Sequence, residues 1–432
     1  MDREMNELLT RSGPGTAGGH VLRQYWQPAA LVEELDTERP LVSVTLLGEE
    51  LLLFRDEQGR LGLLDRYCAH RGVDLTYGRL EDGGLRCSFH GWLFDVNGAC
   101  LETPAEPASS TFHARVCQDR YPVQERSGIV WAYLGDGEPP PLPGLDAFIA
   151  PASHTFAFKG MWNCNWLQAH EVGVDPAHAA FLHRFLEDDD QGYGQQFRDT
   201  IADTDVTVTE LMRGASAPDI TAETTPYGFR LRTVRDYRGE FRSVRTSNCI
   251  FPNAITISMS REMTITQWHV PIDDEHCYWY SVFVSFGEEV DAEAMRAPRI
   301  AQVELPEYRP RIGAAEGWGF NAEEQRTKTY TGMGSDINVH DQYAVESPGP
   351  ILDRTQEHLS PSDVGVRTHR RQFLAAVQNP GPDTLIGLAD PQALTGPPAA
   401  DAIVTGDDYD EAWQSFDRAR RAAAPWPSRP TT

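Results

Sequence analysis

The chain has 432 residues, 40% hydrophobic and 24% charged, which is typical of a globular protein long enough for two or three domains. Its 64 acidic side chains outnumber 38 basic ones, and the formal charge of −26 argues against nucleic acid and anionic membranes as partners. The charged N-terminus, the lack of a membrane-length apolar run and an odd count of seven cysteines predict a cytoplasmic protein without a disulfide framework.

The first part of the chain predicts a short lead-in followed by a small all-β domain. Residues 1–40 form the lead-in, with an amphipathic helix and a turn-rich stretch. Residues 41–136 contain short alternating apolar runs, of which 51–64 predict a hairpin and 95–98 contain the Asn-Gly pair that favours a tight turn. A proline-rich run at 137–144 can join neither a helix nor a central strand, so it marks a domain boundary.

The second part predicts an α+β domain over residues 145–377. A helical pattern covers 162–183, and alternation within 221–286 predicts half-buried antiparallel strands, for example at 229–234 and 277–283. The stretch 338–377 has partly helical spacing. Residues 378–432 are rich in Pro, Ala, Gly and Asp, so we expect a polar, partly mobile tail with little core potential.

A first constellation of metal-ligand residues lies in the all-β domain: Cys68, His70, Cys87 and His90. Two thiolates and two imidazoles suit either zinc or a two-iron cluster in which two histidines replace two cysteines on one iron. The tight Cys-x-His spacing favours the cluster, and so do the glycines that follow both halves, because such loops can direct backbone N–H groups at bridging sulfides. A zinc-bound regulatory or scaffold protein is the alternative.

A second constellation, around which the later domain is organised, is formed by Asp175, His178 and His183. The five-residue spacing turns the two histidines roughly 140° apart on an ideal helix, so the helix must bend for both to reach one point. Two converging imidazoles can bind iron or zinc, and a third, carboxylate ligand would complete the facial triad of non-haem iron oxygenases. Nearby histidines on a helix are also often structural.

These motifs together resemble the Rieske non-haem iron ring-hydroxylating oxygenases. The first constellation, ending in His90-Gly91-Trp92, matches the Rieske [2Fe–2S] motif, and Asn165 through His183 resembles the mononuclear iron motif. The lead-in and the stretch 342–363 are similar to the phthalate 4,5-dioxygenase branch. The stretches 191–198 and 264–280 are also similar to the oxygenase component of 5,5′-dehydrodivanillate O-demethylase.

The resemblance implies a fold and a third ligand. The fold is α+β: an N-terminal all-β Rieske domain followed by a helix-grip catalytic domain, in which an antiparallel sheet curls around a long helix. The position that matches the family's aspartate ligand is Asp341, with Glu346 five residues later. Asp336 competes for this role, and His340 would be the ligand if the alignment moved by one residue. Asp341 can also be an acid stabilised near the start of a helix.

The cofactors and partners are likewise implied by the resemblance. Each subunit would hold one [2Fe–2S] cluster and one Fe(II), with O₂ as co-substrate. The chain has no Gly-x-Gly-x-x-Gly fingerprint, so an NAD(P)H-dependent reductase, alone or with a ferredoxin, would supply electrons. The family assembles as a homotrimer or a dimer of trimers. Asp175 would then bridge a cluster histidine of the neighbouring subunit to an iron histidine; its alternative role is a hydrogen bond to His178.

The expected activity is that of a terminal oxygenase acting on a small aromatic, carboxylated substrate, by ring hydroxylation or by oxidative O-demethylation. An arginine suits a carboxylate because its guanidinium binds both oxygens, and the candidates are Arg198, Arg245 and Arg261. Asn165 and Gln168 are either pocket residues or polar groups of the core. The alternative function is an electron-transfer Rieske protein with a ligand-binding module.

Overall fold

The structure, a computed structural model, describes residues 1–186, 201 and 204–428. It divides into a smaller unit, Ser12–Pro140, and a larger unit formed by Met1–Arg11 and Pro141–Thr432. Within the described residues, no helix is both long and apolar enough to cross a membrane. The proposed lead-in is thus not one segment: α1 (Arg3–Thr10) packs in the larger unit, where Asn6 Nδ2 donates to the Leu352 carbonyl.

The smaller unit is built mainly from strands. Its elements are α2 (Ala17–Arg23), β1 (Gln27–Leu31), β2 (Leu41–Leu46), β3 (Glu49–Arg55), β4 (Leu61–Asp65), β5 (Arg79–Glu81), β6 (Gly84–Arg86), β7 (Leu93–Phe94), β8 (Cys100–Glu102), β9 (Val123–Arg126) and β10 (Ile129–Ala132). They form antiparallel sheets in the orders β1-β10-β9, β2-β3-β4 and β5-β6-β7-β8. The predicted hairpin is confirmed as β3 and β4, and the predicted tight turn at 95–98 connects β7 to β8 with Gly98 at a φ of +76°.

The core of this unit positions the two cysteines of the first constellation. Leu52 and Phe54 of β3 pack with Leu85 and other apolar side chains of the second and third sheets, and the same cluster includes Cys68 and Cys87. Burying these apolar groups stabilises the unit, since each fully buried Leu or Phe contributes roughly 1.5–3 kcal/mol. The loops that carry both cysteines therefore start from a rigid base.

The larger unit is α+β, as predicted. Its helices are α3 (Asp146–Ile149), α4 (Trp166–Gly173), α5 (Ala179–Leu182), α6 (Val208–Gly214), α7 (Ala292–Ile300), α8 (Ala322–Thr327), α9 (Ile337–Glu346), α10 (Val364–Gln378) and α11 (Tyr409–Ala423). Its strands are β11 (Thr155–Trp162), β12 (Asp219–Thr225), β13 (Gly228–Tyr237), β14 (Phe241–Ile250), β15 (Ala254–Ser258), β16 (Met263–Pro271), β17 (Cys277–Ser285), β18 (Val303–Glu304), β19 (Arg309–Pro310) and β20 (Ala400–Val404). The strands predicted at 229–234 and 277–283 are confirmed as parts of β13 and β17.

One eight-stranded antiparallel sheet dominates the larger unit, in the order β11-β17-β16-β15-β14-β13-β12, with β20 also paired to β14. Successive side chains of a strand point to opposite faces, so β13 separates the two layers. Phe229 and Leu231 pack with Val174, which follows α4, and with Val366 of α10. Val234 instead packs with Trp413 of α11. The sheet therefore lies between α4 and α10 on one face and α11 on the other, which agrees with the helix-grip layout that the resemblance implies.

The prediction of a polar tail with little core potential is wrong for the described part of 378–432. β20 extends the sheet, and Trp413 and Trp426 are 4% and 5% exposed. Arg421 forms two charge-assisted hydrogen bonds with the buried Asp146, at 2.7 Å each. The few large apolar residues of this segment are spaced among many polar ones, in the amphipathic helix α11 and at Trp426 beyond it, so the overall composition concealed their packing role.

Candidate metal centres

Two loops of the smaller unit present the first constellation with the same backbone geometry. The Cys68 N–H donates a hydrogen bond to the Val73 carbonyl, and the Gly72 N–H donates one to the Cys68 carbonyl. The second loop repeats this pattern, with Cys87 bonded to Trp92 and Gly91 bonded back to Cys87. Gly72 and Gly91 have φ angles of +67° and +75°, a conformation that other residues adopt at a cost. The two half-motifs are therefore equivalent, although one histidine follows its cysteine by two residues and the other by three.

The four candidate ligands of these loops converge. The Cys68 thiol hydrogen-bonds to Cys87, and its pKa is raised to about 11, chiefly by burial and also by Cys87. The rings of His70 and His90 lie edge to face with centroids 4.6 Å apart, and Trp92 stacks on His70 at 4.2 Å. Both cysteines are buried and both histidines are partly exposed, while His90 Nδ1 is a buried atom without a hydrogen-bond partner. This donor set fits a group held by two inner thiolates and two outer imidazoles.

In the larger unit, the helical pattern predicted over 162–183 forms two separate helices. α4 ends at Gly173, and α5 is a single turn with His178 at its N-terminal boundary and His183 at its C-terminal boundary. Asp175 Oδ1 accepts the Ala177 N–H at 2.8 Å, which stabilises the turn between the helices, and Pro176 cannot supply a backbone donor. This break resolves the unfavourable angle that a five-residue spacing has on an ideal helix.

His178, His183 and Asp341 meet in one compact triangle. The Nε2 atoms of His178 and His183 are 3.2 Å apart, and Asp341 Oδ1 lies 3.2 Å from His183 Nε2 and 3.8 Å from His178 Nε2. Ligands on one face of an octahedral metal with bonds near 2.1 Å are separated by about 3 Å. The three atoms therefore fit a facial metal site.

The protonation states of the triangle also suit a cation. His178 Nδ1 is hydrogen-bonded to the Asp175 carbonyl, which can only accept, so the hydrogen is on Nδ1 and Nε2 has a lone pair. Burial, and then the charge of His183, lowers the pKa of His178. Burial opposes ionisation of Asp341, but the imidazoles of His183 and His178 outweigh it and lower the pKa of this carboxyl. Neutral imidazoles and a carboxylate are the forms that bind iron.

The two competitors of Asp341 have other contacts. Asp336 caps α9 through the Asn338 N–H at 2.9 Å, and its carboxylate also accepts from the Asn338 side chain. His340 Nε2 is bonded to the Gly334 carbonyl at 2.9 Å, while its ring stacks on that of His183 with centroids 5.8 Å apart. Of these three candidates, only Asp341 contributes an atom to the triangle.

A polar clamp holds α9, and with it Asp341, against the start of α4. The Glu346 carboxylate accepts from the backbone and side chain of Asn163, from Trp318 Nε1 and from Gln342 Nε2. Gln168 donates to the Val345 and Gly349 carbonyls and accepts the Leu352 N–H. Gln168 is therefore a core connector.

Asn165 is likewise a polar group of the core. Its side chain caps α4 through the Leu167 N–H and donates to the carbonyls of Thr10 and Asp274. Among the described residues that line the large cavity beside the triangle, neither Asn165 nor Gln168 appears. Of the two interpretations left open for these residues, the structure supports the core role.

Asp175 and Glu171 differ in their surroundings. The side chain of Asp175 is 23% exposed, and its Oδ2 is 3.8 Å from His178 Nδ1. That carboxylate is thus next to the triangle and open to a further partner. Glu171 is buried between Arg354 at 2.8 Å and Arg370 at 2.5 Å, which makes it a structural ion pair.

A cavity of about 700 Å³ opens beside the triangle in the larger unit. Asp175, His178, His183 and Asp341 lie on its wall, together with the apolar side chains Ile255, Ile257, Met259, Met263, Ile265 and Phe283. This volume suits a drug-sized molecule, because ligand pockets typically measure roughly 300–1,000 Å³.

Among the described residues, three arginines line this cavity: Arg235, Arg245 and Arg299. Arg245 was predicted as a candidate, and it is 3.3 Å from Asp401. Of the other candidates, Arg261 is exposed and does not line the described cavity, and Arg198 lies outside the described residues, as does the whole stretch 191–198.

Sequence analysis missed Arg235, which is 2% exposed. Its Nη2 donates to the Pro176 carbonyl at 2.8 Å, its buried Nε has no partner, and it makes no ion pair with a described carboxylate. Burial, and then the charge of Arg245, lowers its pKa to about 10. The alternation of β13 contained the signal, because Arg235 shares the inward face of Phe229 and Leu231.

Comparisons with known families cover nearly the whole chain. Residues 25–116 match the Rieske [2Fe-2S] domain, and residues 139–424 match the LigXa C-terminal domain like family.

Curated relatives match over most of their length. The tert-butanol monooxygenase / tert-amyl alcohol desaturase oxygenase subunit of Aquincola tertiaricarbonis is 32% identical over 90% of this chain and 81% of its own. The 5,5′-dehydrodivanillate O-demethylase oxygenase subunit of Sphingobium sp. is 31% identical over 94% and 86%. The phthalate 4,5-dioxygenase oxygenase subunit of Pseudomonas putida is 31% identical over 87% and 85%.

Solved structures share the fold. A Pseudomonas putida CBB5 NdmA mutant with theobromine superposes with a TM-score of 0.58 at 19% identity, covering 86% of this chain and 96% of its own. The oxygenase from an oxygenase–ferredoxin complex of carbazole 1,9a-dioxygenase has a TM-score of 0.56 at 20% identity, covering 90% and 98%.

Proposed function

Since this chain belongs to the Rieske non-haem iron oxygenases, in the branch of phthalate 4,5-dioxygenase and 5,5′-dehydrodivanillate O-demethylase, we propose that it oxidises a small carboxylated aromatic compound. The observation that carries the proposal is a cavity of about 700 Å³, with arginines in its described lining, directly beside the triangle of His178, His183 and Asp341. The alternative of an electron-transfer protein lacks support, because all three residues of the triangle are present and converge.

On this proposal, Cys68, His70, Cys87 and His90 hold the [2Fe–2S] cluster, and His178, His183 and Asp341 hold Fe(II). When bound, the cluster transfers single electrons and the iron activates O₂. The protein supplies orientation: the Asp175 carbonyl keeps the hydrogen of His178 on Nδ1 and leaves Nε2 for the metal. The clamp around Glu346 keeps Asp341 opposite the two histidines.

Arg235 supports a carboxylate on the substrate. The guanidinium of Arg235 is 2% exposed and makes no ion pair with a described carboxylate; Asp401 and Asp175 act on it only from a distance, so its burial is costly. A substrate carboxylate would supply the missing anion through a charge-assisted hydrogen bond. Because Arg235 is bonded to Pro176, two residues before His178, this contact would bring the aromatic ring close to the triangle.

The relative that acts on tert-butanol and tert-amyl alcohol suggests a second substrate class. Such alcohols are small and uncharged, whereas the cavity measures about 700 Å³ and its described lining includes three arginines. Both its size and its charge favour an aromatic acid. Ring hydroxylation and O-demethylation are two outcomes of the same site. The orientation of the bound substrate decides which of its carbons lies next to the triangle and is oxidised.

Electrons are proposed to come from an NAD(P)H-dependent reductase, alone or with a ferredoxin. The sequence contains no dinucleotide-binding fingerprint, and the carbazole 1,9a-dioxygenase oxygenase was solved in complex with its ferredoxin. We also propose a homotrimer or a dimer of trimers, in which Asp175 connects the cluster of one subunit to the triangle of the next. Its partly exposed carboxylate beside His178 is compatible with that role.

A product screen tests the proposal. The purified protein is combined with a surrogate reductase, NADH and O₂, and offered phthalate, benzoate, a methoxylated biaryl acid and tert-amyl alcohol. Matched methyl esters of the acids serve as controls, because they preserve shape and remove the charge. We expect an oxidised product from at least one acid and none from its ester. Turnover of tert-amyl alcohol alone, or equal turnover of acids and esters, would contradict the proposed substrate class.

A further inference from the structure

A second cluster of metal-binding side chains lies in the core of the larger unit, outside the triangle. His170, Cys249 and His369 each offer one ligand atom, and these atoms all lie within 4.8 Å of one another. All three residues are completely buried. They come from α4, β14 and α10, so packing of three separate elements against one face of the sheet assembles the cluster.

The hydrogen bonds of this cluster leave ring nitrogens unused. His369 Nε2 lies 2.7 Å from the Pro252 carbonyl, which can only accept, so the ring hydrogen is on Nε2 and Nδ1 has its lone pair. That Nδ1 is buried and has no hydrogen-bond partner, and His170 Nδ1 is in the same position. Buried polar atoms of this kind are rare, since native proteins satisfy nearly all of them. A histidine that donates to a backbone carbonyl through one nitrogen is also the usual form of a metal ligand.

The separation of the remaining pair matches coordination to one ion. His170 Nε2 is 3.5 Å from Cys249 Sγ. Ligands of a tetrahedral ion with a metal–sulfur bond of about 2.3 Å and a metal–nitrogen bond of about 2.0 Å are separated by about 3.5 Å. Two imidazoles and one thiolate form a soft donor set, which selects copper or zinc over the hard ions magnesium and calcium.

We propose that His170, Cys249 and His369 form a second metal site, which binds a thiophilic closed-shell cation, Cu(I) or Zn²⁺. Charge favours Cu(I), because one thiolate neutralises it, whereas a divalent ion would leave a net positive charge in a dry core. Arg354 and Arg370 lie near the cluster, and their charges are balanced by Glu171 and Glu357. Within the described surroundings, no further anion is therefore available to neutralise a divalent ion. The proposal is independent of the substrate and of the function proposed for the triangle.

The burial of the site predicts how the ion enters and leaves. Burial keeps the pKa of the Cys249 thiol well above and that of His170 well below their ordinary values, so without an ion both groups are neutral. A site with no exposed ligand has no path for a chelator, and the ion would be acquired while the chain folds. We therefore expect the ion to resist chelators in the native protein and to be released on unfolding.

Metal analysis of the full-length protein tests this site. The protein is produced in medium supplemented with copper and zinc, dialysed against a chelator, and analysed for copper, zinc and iron. We expect about one equivalent of copper or zinc beyond the iron, in keeping with a folding-coupled site. X-ray absorption at the copper and zinc edges should show one sulfur and two nitrogen ligands, and the edge that responds identifies the ion.

Cys249→Ser should abolish this equivalent, and Cys277→Ser is the matched control, because Cys277 is also completely buried but lies outside the cluster. Zinc bound instead of the cluster by the loops of the smaller unit would have two sulfur ligands in the absorption spectrum, and the Cys249→Ser variant would retain it. If Cys249→Ser does not fold, the absorption spectrum of the wild-type protein decides alone. The proposal would be overturned if copper and zinc were both absent, or if the bound metal had a number of sulfur ligands other than one.

Discussion

The Nε2 atoms of His178 and His183 lie 3.2 Å apart, although an ideal helix would turn these residues away from each other. They meet because the helix is reduced to a single turn between them. Two nitrogens at this distance, one of them with its lone pair fixed by Asp175, would repel each other unless a cation or a proton lay between them. This relationship is the geometric basis for assigning the triangle to iron.

Asp341→Ala should remove the mononuclear iron and leave the [2Fe–2S] spectrum unchanged. We expect iron affinity to fall by at least roughly 100-fold, the upper end of the loss seen for outer partners of a metal. Iron analysis and the visible spectrum measure both effects. Asp336→Asn is the control, because asparagine caps a helix as well as aspartate does. Loss of the iron in Asp336→Asn but not in Asp341→Ala would reverse the assignment.

His70→Cys or His90→Cys should keep a cluster but lower its reduction potential. Replacing a neutral imidazole by a thiolate adds negative charge, and all-cysteine clusters lie on the order of hundreds of millivolts below histidine-ligated ones. A redox titration checks this. Phe89→Leu, which changes a 52% exposed neighbour, should leave the potential nearly constant. An unchanged potential in both histidine variants would show that these residues are not ligands.

Asp175→Asn should retain both metals and the oligomer while cutting turnover by about 10- to 100-fold, because a neutral amide bridges two histidines poorly. Asp273→Asn is a close control: Asp273 likewise lies three residues before a histidine and accepts the N–H two residues ahead.

Mixing a variant without the cluster and one without the iron should restore partial activity. No restoration, with subunit exchange confirmed by mass, would refute the intersubunit route.

Arg235→Gln should raise KM for the acid substrate by about 10- to 100-fold, since hydrogen bonds to charged groups contribute roughly 1.5–3 kcal/mol. The change should be small for the methyl ester. Arg261→Gln, at an exposed position, should change neither value. An equal loss for acid and ester would mean that Arg235 supports the loop at Pro176 and does not bind the carboxylate.

Trp413→Ala should lower the free energy of unfolding by about 3–5 kcal/mol, the usual loss for a large aromatic side chain in a core. Phe320→Ala, at a residue 50% exposed, should cost far less. Denaturant unfolding measures both variants. Equal stability of Trp413→Ala and the wild type would contradict the finding that the C-terminal segment is part of the core.

The sequence identified the residues that converge at the two candidate metal centres better than the residues that shape the cavity. Each half-motif is short: Cys68 and His70, Cys87 and His90, and His178 and His183 are near neighbours in the chain, so local structure brings each pair together. Asp341 and Arg235 come from distant elements and meet the site only through the packing of α9 and β13. For Asp341 a family resemblance supplied the position.

Other features depended on packing that no local pattern encodes. The break between α4 and α5 follows from Pro176 and the turn at Asp175; the spacing of the two histidines predicted a bend in the helix, but not that it would divide into two helices. His170, Cys249 and His369 are separated by long stretches of chain and form no motif, so only the folded sheet brings them together. The composition of the tail likewise concealed the two tryptophans that are buried there.

The most direct test of the central claim is the fate of oxygen. A single-turnover experiment with ¹⁸O₂, the reduced protein and an accepted aromatic acid is analysed by mass spectrometry of the product. We predict that the wild-type protein transfers ¹⁸O into the oxidised carbon and that Asp341→Ala, with its [2Fe–2S] cluster intact and reduced, transfers none. Product without label, or equal labelling by Asp341→Ala, would contradict the assignment of this protein as an oxygenase that acts through His178, His183 and Asp341.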